Sequence, residues 1–189
     1  MAQMLTILIA NQKGGVGKTT IADELAFELE RRGASVSFIS TDPQGGSVHE
    51  TDDGDEERDW RIVDTPGVLA DALPEWCEAA DMVLVPMLPS PRDIEPTLRT
   101  IEVARKSTSA PVAVVVNQYN PYGVLDRQLA EYLAGEGERV IAKVPKAVAL
   151  AQAAAGGCSV AGLRNGRHAA EAFARLADEV EATLDSHNI

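Results

Sequence analysis

Cysteine is almost missing from this chain. Cys77 and Cys158 are the only two in 189 residues, which excludes a disulfide framework and points to no cysteine-rich metal cluster. Positive charge is also scarce: 17 lysines and arginines stand against 29 aspartates and glutamates, for a net charge of −12 and a pI near 4.6. Duplex DNA repels such a molecule on average, so any nucleic-acid contact has to come from a local basic patch. Long apolar runs are missing too, since no stretch approaches the roughly 20 apolar residues that span a bilayer. No basic segment precedes the first apolar run, and together these absences predict a cytoplasmic protein.

What is present is ordinary for a globular protein, 45% hydrophobic and 24% charged. The chain is long enough to bury a sizeable core in one domain over 1–189. Its most informative stretch is 4–25, MLTILIANQKGGVGKTTIADEL. An apolar run over 4–10 enters a glycine-rich turn, and Ile21, Leu25 and Leu29 then recur four residues apart, as one face of a helix does. Strand, glycine loop and helix form the context that a phosphate-binding loop needs. Gly14, Gly15 and Gly17 let the backbone approach an anion without side chains in the way. The N–H groups from Gly14 to Thr20, with Val16 between, and the positive end of the helix dipole then face the same phosphate oxygens. Lys18 is placed to reach the terminal phosphates and the Thr19 hydroxyl to ligate Mg²⁺.

The loop departs from the general G-x-x-x-x-G-K-[ST] pattern, because Gln12 stands where the first glycine should be and Lys13 opens the turn. K-G-G-V-G-K-T-T resembles the deviant phosphate loop of the ParA and MinD superfamily of ATPases. The resemblance implies that Lys13 crosses a dimer interface to the partner's nucleotide, the task of an arginine finger supplied in trans.

Further along, residues 34–40 read as a second strand that ends in T-D-P-Q-G. A carboxylate just past a parallel strand sits where ligands bind in doubly wound sheets, although Asp-Pro also initiates ordinary turns. D-P-Q resembles the family's second motif, usually D-x-D-P-Q. Ser40 replaces the first aspartate, and Asp42 is the carboxylate that the resemblance assigns to hydrolysis, through the attacking water or the magnesium shell. Residues 45–59 are acidic, with seven carboxylates between Glu50 and Asp59, and read as a solvated, mobile loop. Relatives commonly carry a longer helical segment there.

WRIVD over 60–64 reads as the next strand, closing on D-T-P-G. Asp64 resembles the aspartate that holds Mg²⁺ through a water, and Gly67 would let the backbone approach the γ-phosphate. A helix is expected over 69–80 and a buried strand over 82–87, followed by a loop punctuated by Pro86, Pro89, Pro91 and Pro96. Asp93 or Glu95 is expected to cap the next helix, which runs to about Lys106. P-S-P-x-D also resembles a loop near the nucleotide and the dimer face in small partition ATPases. PVAVVV over 111–116 is the most strand-like run and ends at Asn117, either a turn-forming asparagine or, by the resemblance, an adenine contact. Helix 122–134 and strand 139–144 follow. Pro145, Lys146 and an alanine-rich helix over 147–155 resemble the family's segment beside the base. The final helix, from about Arg167, carries a packing stripe of Ala169, Phe173, Leu176, Val180 and Leu184.

Alternating strands and helices predict an α/β fold, a doubly wound and mostly parallel sheet with helices on both faces. The resemblance covers nearly the whole chain and looks like a small ParA-type partition ATPase without an N-terminal DNA-reading domain. It implies Mg²⁺-ATP hydrolysis, an ATP-bound homodimer, non-specific DNA binding on the nucleoid and a centromere-bound partner of the ParB type. A MinD-like membrane protein needs a basic amphipathic tail, whereas residues 171–189 carry five carboxylates. An iron–sulfur relative needs cluster cysteines after the nucleotide motifs, where Cys77 and Cys158 do not fall. A metabolic ATP-dependent ligase needs a small-molecule acid site, and a scaffold that binds nucleotide without turnover is the non-enzymatic alternative.

Overall fold

Six strands form one parallel sheet in the computed structural model, which describes residues 4–41, 46–52, 58–67 and 72–187. In chain order they are β1 (Leu5–Ile9), β2 (Val36–Ser40), β3 (Trp60–Asp64), β4 (Met82–Met87), β5 (Val112–Tyr119) and β6 (Val140–Pro145). The helices are α1 (Lys18–Arg31), α2 (Leu73–Glu78), α3 (Pro91–Ser107), α4 (Val124–Gly135), α5 (Val148–Ala155) and α6 (Arg167–His187). Across the sheet the order is β2-β3-β1-β4-β5-β6. The winding therefore reverses beside β1, and a doubly wound sheet binds ligands in the crevice at such a reversal.

Every strand feeds two cores, which is why the central strands β1, β4 and β5 read as near-continuous apolar runs. Ile7, Ile9, Met82, Leu84, Ala113, Val115, Ala142 and Val144 face α1, α5 and α6. Leu8, Ala10, Val83, Val85, Met87, Val114 and Val116 face α2, α3 and α4. The expected α6 stripe is buried, from Ala169 at 1% exposure to Leu184 at 3%. Arg32 fastens α1 to this helix: it bonds Glu28 within α1, pairs with Asp178 and Glu181, and donates to the Ala174 carbonyl.

Several local expectations change. Pro86 lies inside β4 and Pro96 inside α3, not in the loop between them. Ser90, not Asp93 or Glu95, caps α3, accepting from the Arg92 N–H at 3.3 Å. β5 continues through Asn117 to Tyr119 by way of a register shift, and α4 starts at Val124 rather than at 122. Of the helix expected over 69–80, Leu73–Glu78 is helical, and residues 69–71 lie outside the described residues. The acidic segment is anchored at its described ends. Ser37 Oγ donates to Asp52 at 2.7 Å, and Asp59 accepts from both the N–H and the hydroxyl of Ser35. Cys77 is buried and Cys158 half-buried, both reduced. No helix among the described residues is long and apolar enough to cross a membrane.

Candidate functional site

The loop between β1 and α1 is held at both ends. Asn11, buried at the end of β1, donates through Nδ2 to the Pro86 carbonyl at 2.8 Å and to Thr97 Oγ1 at 3.0 Å, while its Oδ1 accepts from the Lys13 N–H at 2.9 Å. The Gln12 N–H donates to Thr100 Oγ1 at 3.2 Å. At the other end Gly17 precedes α1 with φ 91°, a left-handed conformation that L side chains rarely adopt. A Cβ there would also run into the Asn117 amide. Asn117 Nδ2 donates to the Val16 carbonyl at 3.0 Å, and its Oδ1 accepts from the Gln118 N–H at 2.9 Å. The candidate base contact thus braces the loop as well as lining the cleft beside it.

Lys18 is buried at 7% exposure, and its Nζ donates to the Lys13 carbonyl at 3.3 Å, folded back over the loop. Thr19 Oγ1 donates to Asp64 Oδ2 at 2.7 Å. Asp64 is fully buried in register with Ile9 of β1 and Ser40 of β2. Ser40 Oγ is buried and makes no hydrogen bond among the described residues. The next turn brings Gly67 against the loop: a Cβ on it would lie 3.0 Å from Gly14 Cα and 3.8 Å from Lys18 Nζ. Only glycine leaves that approach open. Lys13, at 36% side-chain exposure, places its ammonium 3.7 Å from Asp93 Oδ1.

Beside the loop an open cleft of about 530 Å³ is lined by Thr20, Asn117, Gln118, Pro145, Lys146 and the alanine-rich face of α5. Its walls are mainly apolar with a few polar groups, as pockets for planar ligands are. The structure therefore gathers Lys13, Gly14, Gly15, Val16, Gly17, Lys18, Thr19, Thr20, Asp64, Gly67 and Asn117 around one loop, with Pro145 and Lys146 on the adjoining cleft. Asp42 lies outside the described residues.

Asn11, Thr97 and Thr100 were not legible as site residues. Asn11 carried a weak signal, as a polar residue ending an apolar strand. The threonines carried none, being 86 and 88 positions from their loop partners. Among the described residues no three histidines, cysteines or acids gather as a metal cage.

Comparison with known proteins shows the family and the fold. The maintenance of carboxysome distribution protein A of Halothiobacillus neapolitanus is 31% identical over 93% of this chain and 95% of its own. The chromosome-partitioning ATPase Soj of Thermus thermophilus is 28% identical over 97% of this chain and 98% of its own. The fold is that of the septum site-determining protein MinD complexed with Mg-ADP from Pyrococcus horikoshii, with a TM-score of 0.74 at 16% identity over 95% of this chain and 96% of that one. The CobQ/CobB/MinD/ParA nucleotide binding domain matches residues 7–160, and the chain belongs to that family.

Proposed function

We propose that this protein binds and hydrolyses Mg²⁺-ATP, dimerises in the ATP state and uses that cycle to segregate DNA. The observation that carries the reading is the Thr19–Asp64 pair beneath a glycine loop bearing two lysines. The donor set fits magnesium, a hard cation that takes oxygen ligands and keeps several waters. Thr19 would bind it directly and Asp64 through water, with Asp42 as the third candidate. Bound there, Mg²⁺ neutralises phosphate charge. Lys18 and the loop N–H groups hold the terminal phosphates, and Gly67 leaves the backbone close to them. Asp42 orients the attacking water, and Lys13 reaches the nucleotide of a second chain.

For DNA, the exposed Lys143, Lys146, Arg164 and Arg167, all in the C-terminal third of the chain, would supply the positive charge. One copy is meagre for a molecule of net charge −12, but a two-fold dimer doubles it, and phosphate contacts add steeply. A DNA-bound partner of the ParB type would then stimulate turnover. The likeness to a carboxysome-distribution protein favours a second reading, in which the same cycle positions a protein cargo.

Fluorescence anisotropy with a random duplex, alongside phosphate release, tests the proposal. Binding should require Mg²⁺-ATP and collapse as salt rises from about 50 to 200 mM. Phosphate release that stays at background, with or without DNA, overturns the ATPase reading. Turnover without ATP-dependent DNA binding removes segregation and leaves cargo positioning.

A further inference from the structure

Lys13, which the proposed function sends to a second chain's nucleotide, is held from two sides by its own chain. Its backbone is seated on α3, through Asn11 Oδ1 at 2.9 Å, Asn11 to Thr97 at 3.0 Å, and the Gln12 N–H to Thr100 at 3.2 Å. Its ammonium stands 3.7 Å from Asp93 Oδ1 on the first turn of the same helix. Asp93 is 3% exposed, and its Oδ2 accepts from the Leu88 N–H at 3.2 Å. The carboxylate is thus anchored where the helix dipole favours an anion.

Asp93 is not needed as the helix cap, a role taken by Ser90. The ion pair is longer than the roughly 2.7–2.9 Å of a charge-assisted hydrogen bond. Charge attraction therefore holds the ammonium loosely, and Lys13, one-third exposed, has a path outward. A nucleotide's phosphates, carrying several negative charges, can outcompete one fixed carboxylate.

We infer that Asp93 is a positioning residue for Lys13. It keeps the ammonium on its own chain until the phosphates of a second chain take it over, and so sets the threshold for the ATP-state dimer. This rests on the trans role of Lys13 proposed above. The coupling also runs the other way: whatever moves the first turn of α3 changes how readily Lys13 is released.

The test compares wild type, Asp93→Asn, Lys13→Gln and the double variant by sedimentation with a non-hydrolysable ATP analogue and Mg²⁺. Asparagine keeps an acceptor for the Leu88 N–H while deleting the charge. Asp93→Asn should tighten the dimer about two- to thirtyfold, the range for two partly exposed ion pairs released per dimer, and should change nothing once Lys13 is Gln. A dimer no tighter than wild type, or one equally tightened without Lys13, overturns the inference alone. A wild type that stays monomeric with the analogue overturns the proposed function and this inference with it. If Asp93→Asn does not fold, Asp93→Glu serves: its longer arm reaches the ammonium and should weaken the dimer, and a tighter dimer overturns the inference.

Discussion

Thr19 Oγ1 and Asp64 Oδ2 are 2.7 Å apart, joining the first turn of α1 to the end of β3 across 45 positions of sequence. Without a cation the hydroxyl donates to the carboxylate. In the proposed function the same two oxygens would serve a bound cation, Thr19 as a ligand and Asp64 through a water. Thr19→Ala and Asp64→Asn should each lower ATP affinity about 10- to 100-fold in the presence of magnesium, the usual cost of disturbing a metal's ligand or its partner. In EDTA the difference from wild type should largely vanish. Titration calorimetry in both buffers checks this, and an equal loss with and without magnesium contradicts it.

Gly67→Ala puts a methyl 3.0 Å from the Gly14 backbone, where no flexible side chain can yield. The loop must shift, so ATP affinity should fall by about tenfold, on the order of 1.4 kcal/mol. Unchanged affinity in the same titration would mean that the approach of Gly67 to the loop is not used in binding.

Asp42→Ala should retain ATP binding and lose most turnover, since the carboxylate is assigned to the attacking water. The trapped ATP state should then accumulate as dimer by mass action. Light scattering under saturating ATP checks it; a monomer would contradict the trans role of Lys13.

His49 ties the segment after the T-D-P-Q motif to α1. Its Nδ1 lies 2.9 Å from Asp23 Oδ1 and its Nε2 3.4 Å from Glu30 Oε2, with the ring packed on Phe27 and Phe38. Burial pushes its pKa down, but the bond to Asp23 and then the charge of Glu30 outweigh it, leaving the imidazole above its ordinary value. Glu24 on α1 adds a further negative charge nearby. A raised folded-state pKa gives stability that is complete below the unfolded value of about 6.5 and fades as pH rises through the folded one. The melting-temperature gap between wild type and His49→Gln should therefore be widest below about pH 6.5 and narrow above it. A gap constant across that range would show that ring packing, not charge, carries the contact.

Much of this molecule is written in short-range pattern. The apolar run into K-G-G-V-G-K-T-T, the four-residue spacing of Ile21, Leu25 and Leu29, and the stripe from Ala169 to Leu184 each need only neighbours along one element to be read. Those periods set the α/β class and the loop, because backbone geometry alone decides which residues share a face. The tertiary structure decided what lies between elements. Pro96 reads locally as a breaker, yet α3 runs through it because Thr97, Thr100, Ile101 and Ala104 are buried beyond it. Asn117 became a brace for the loop only when β5 came to lie beside Val16, 101 positions away. The hold of Asp93 on Lys13 likewise exists only because β4 pairs with β1 and delivers the start of α3 to the mouth of the loop. Such contacts leave no trace in periodicity, since they depend on which strands become neighbours, and that is settled by burying both faces of the sheet at once.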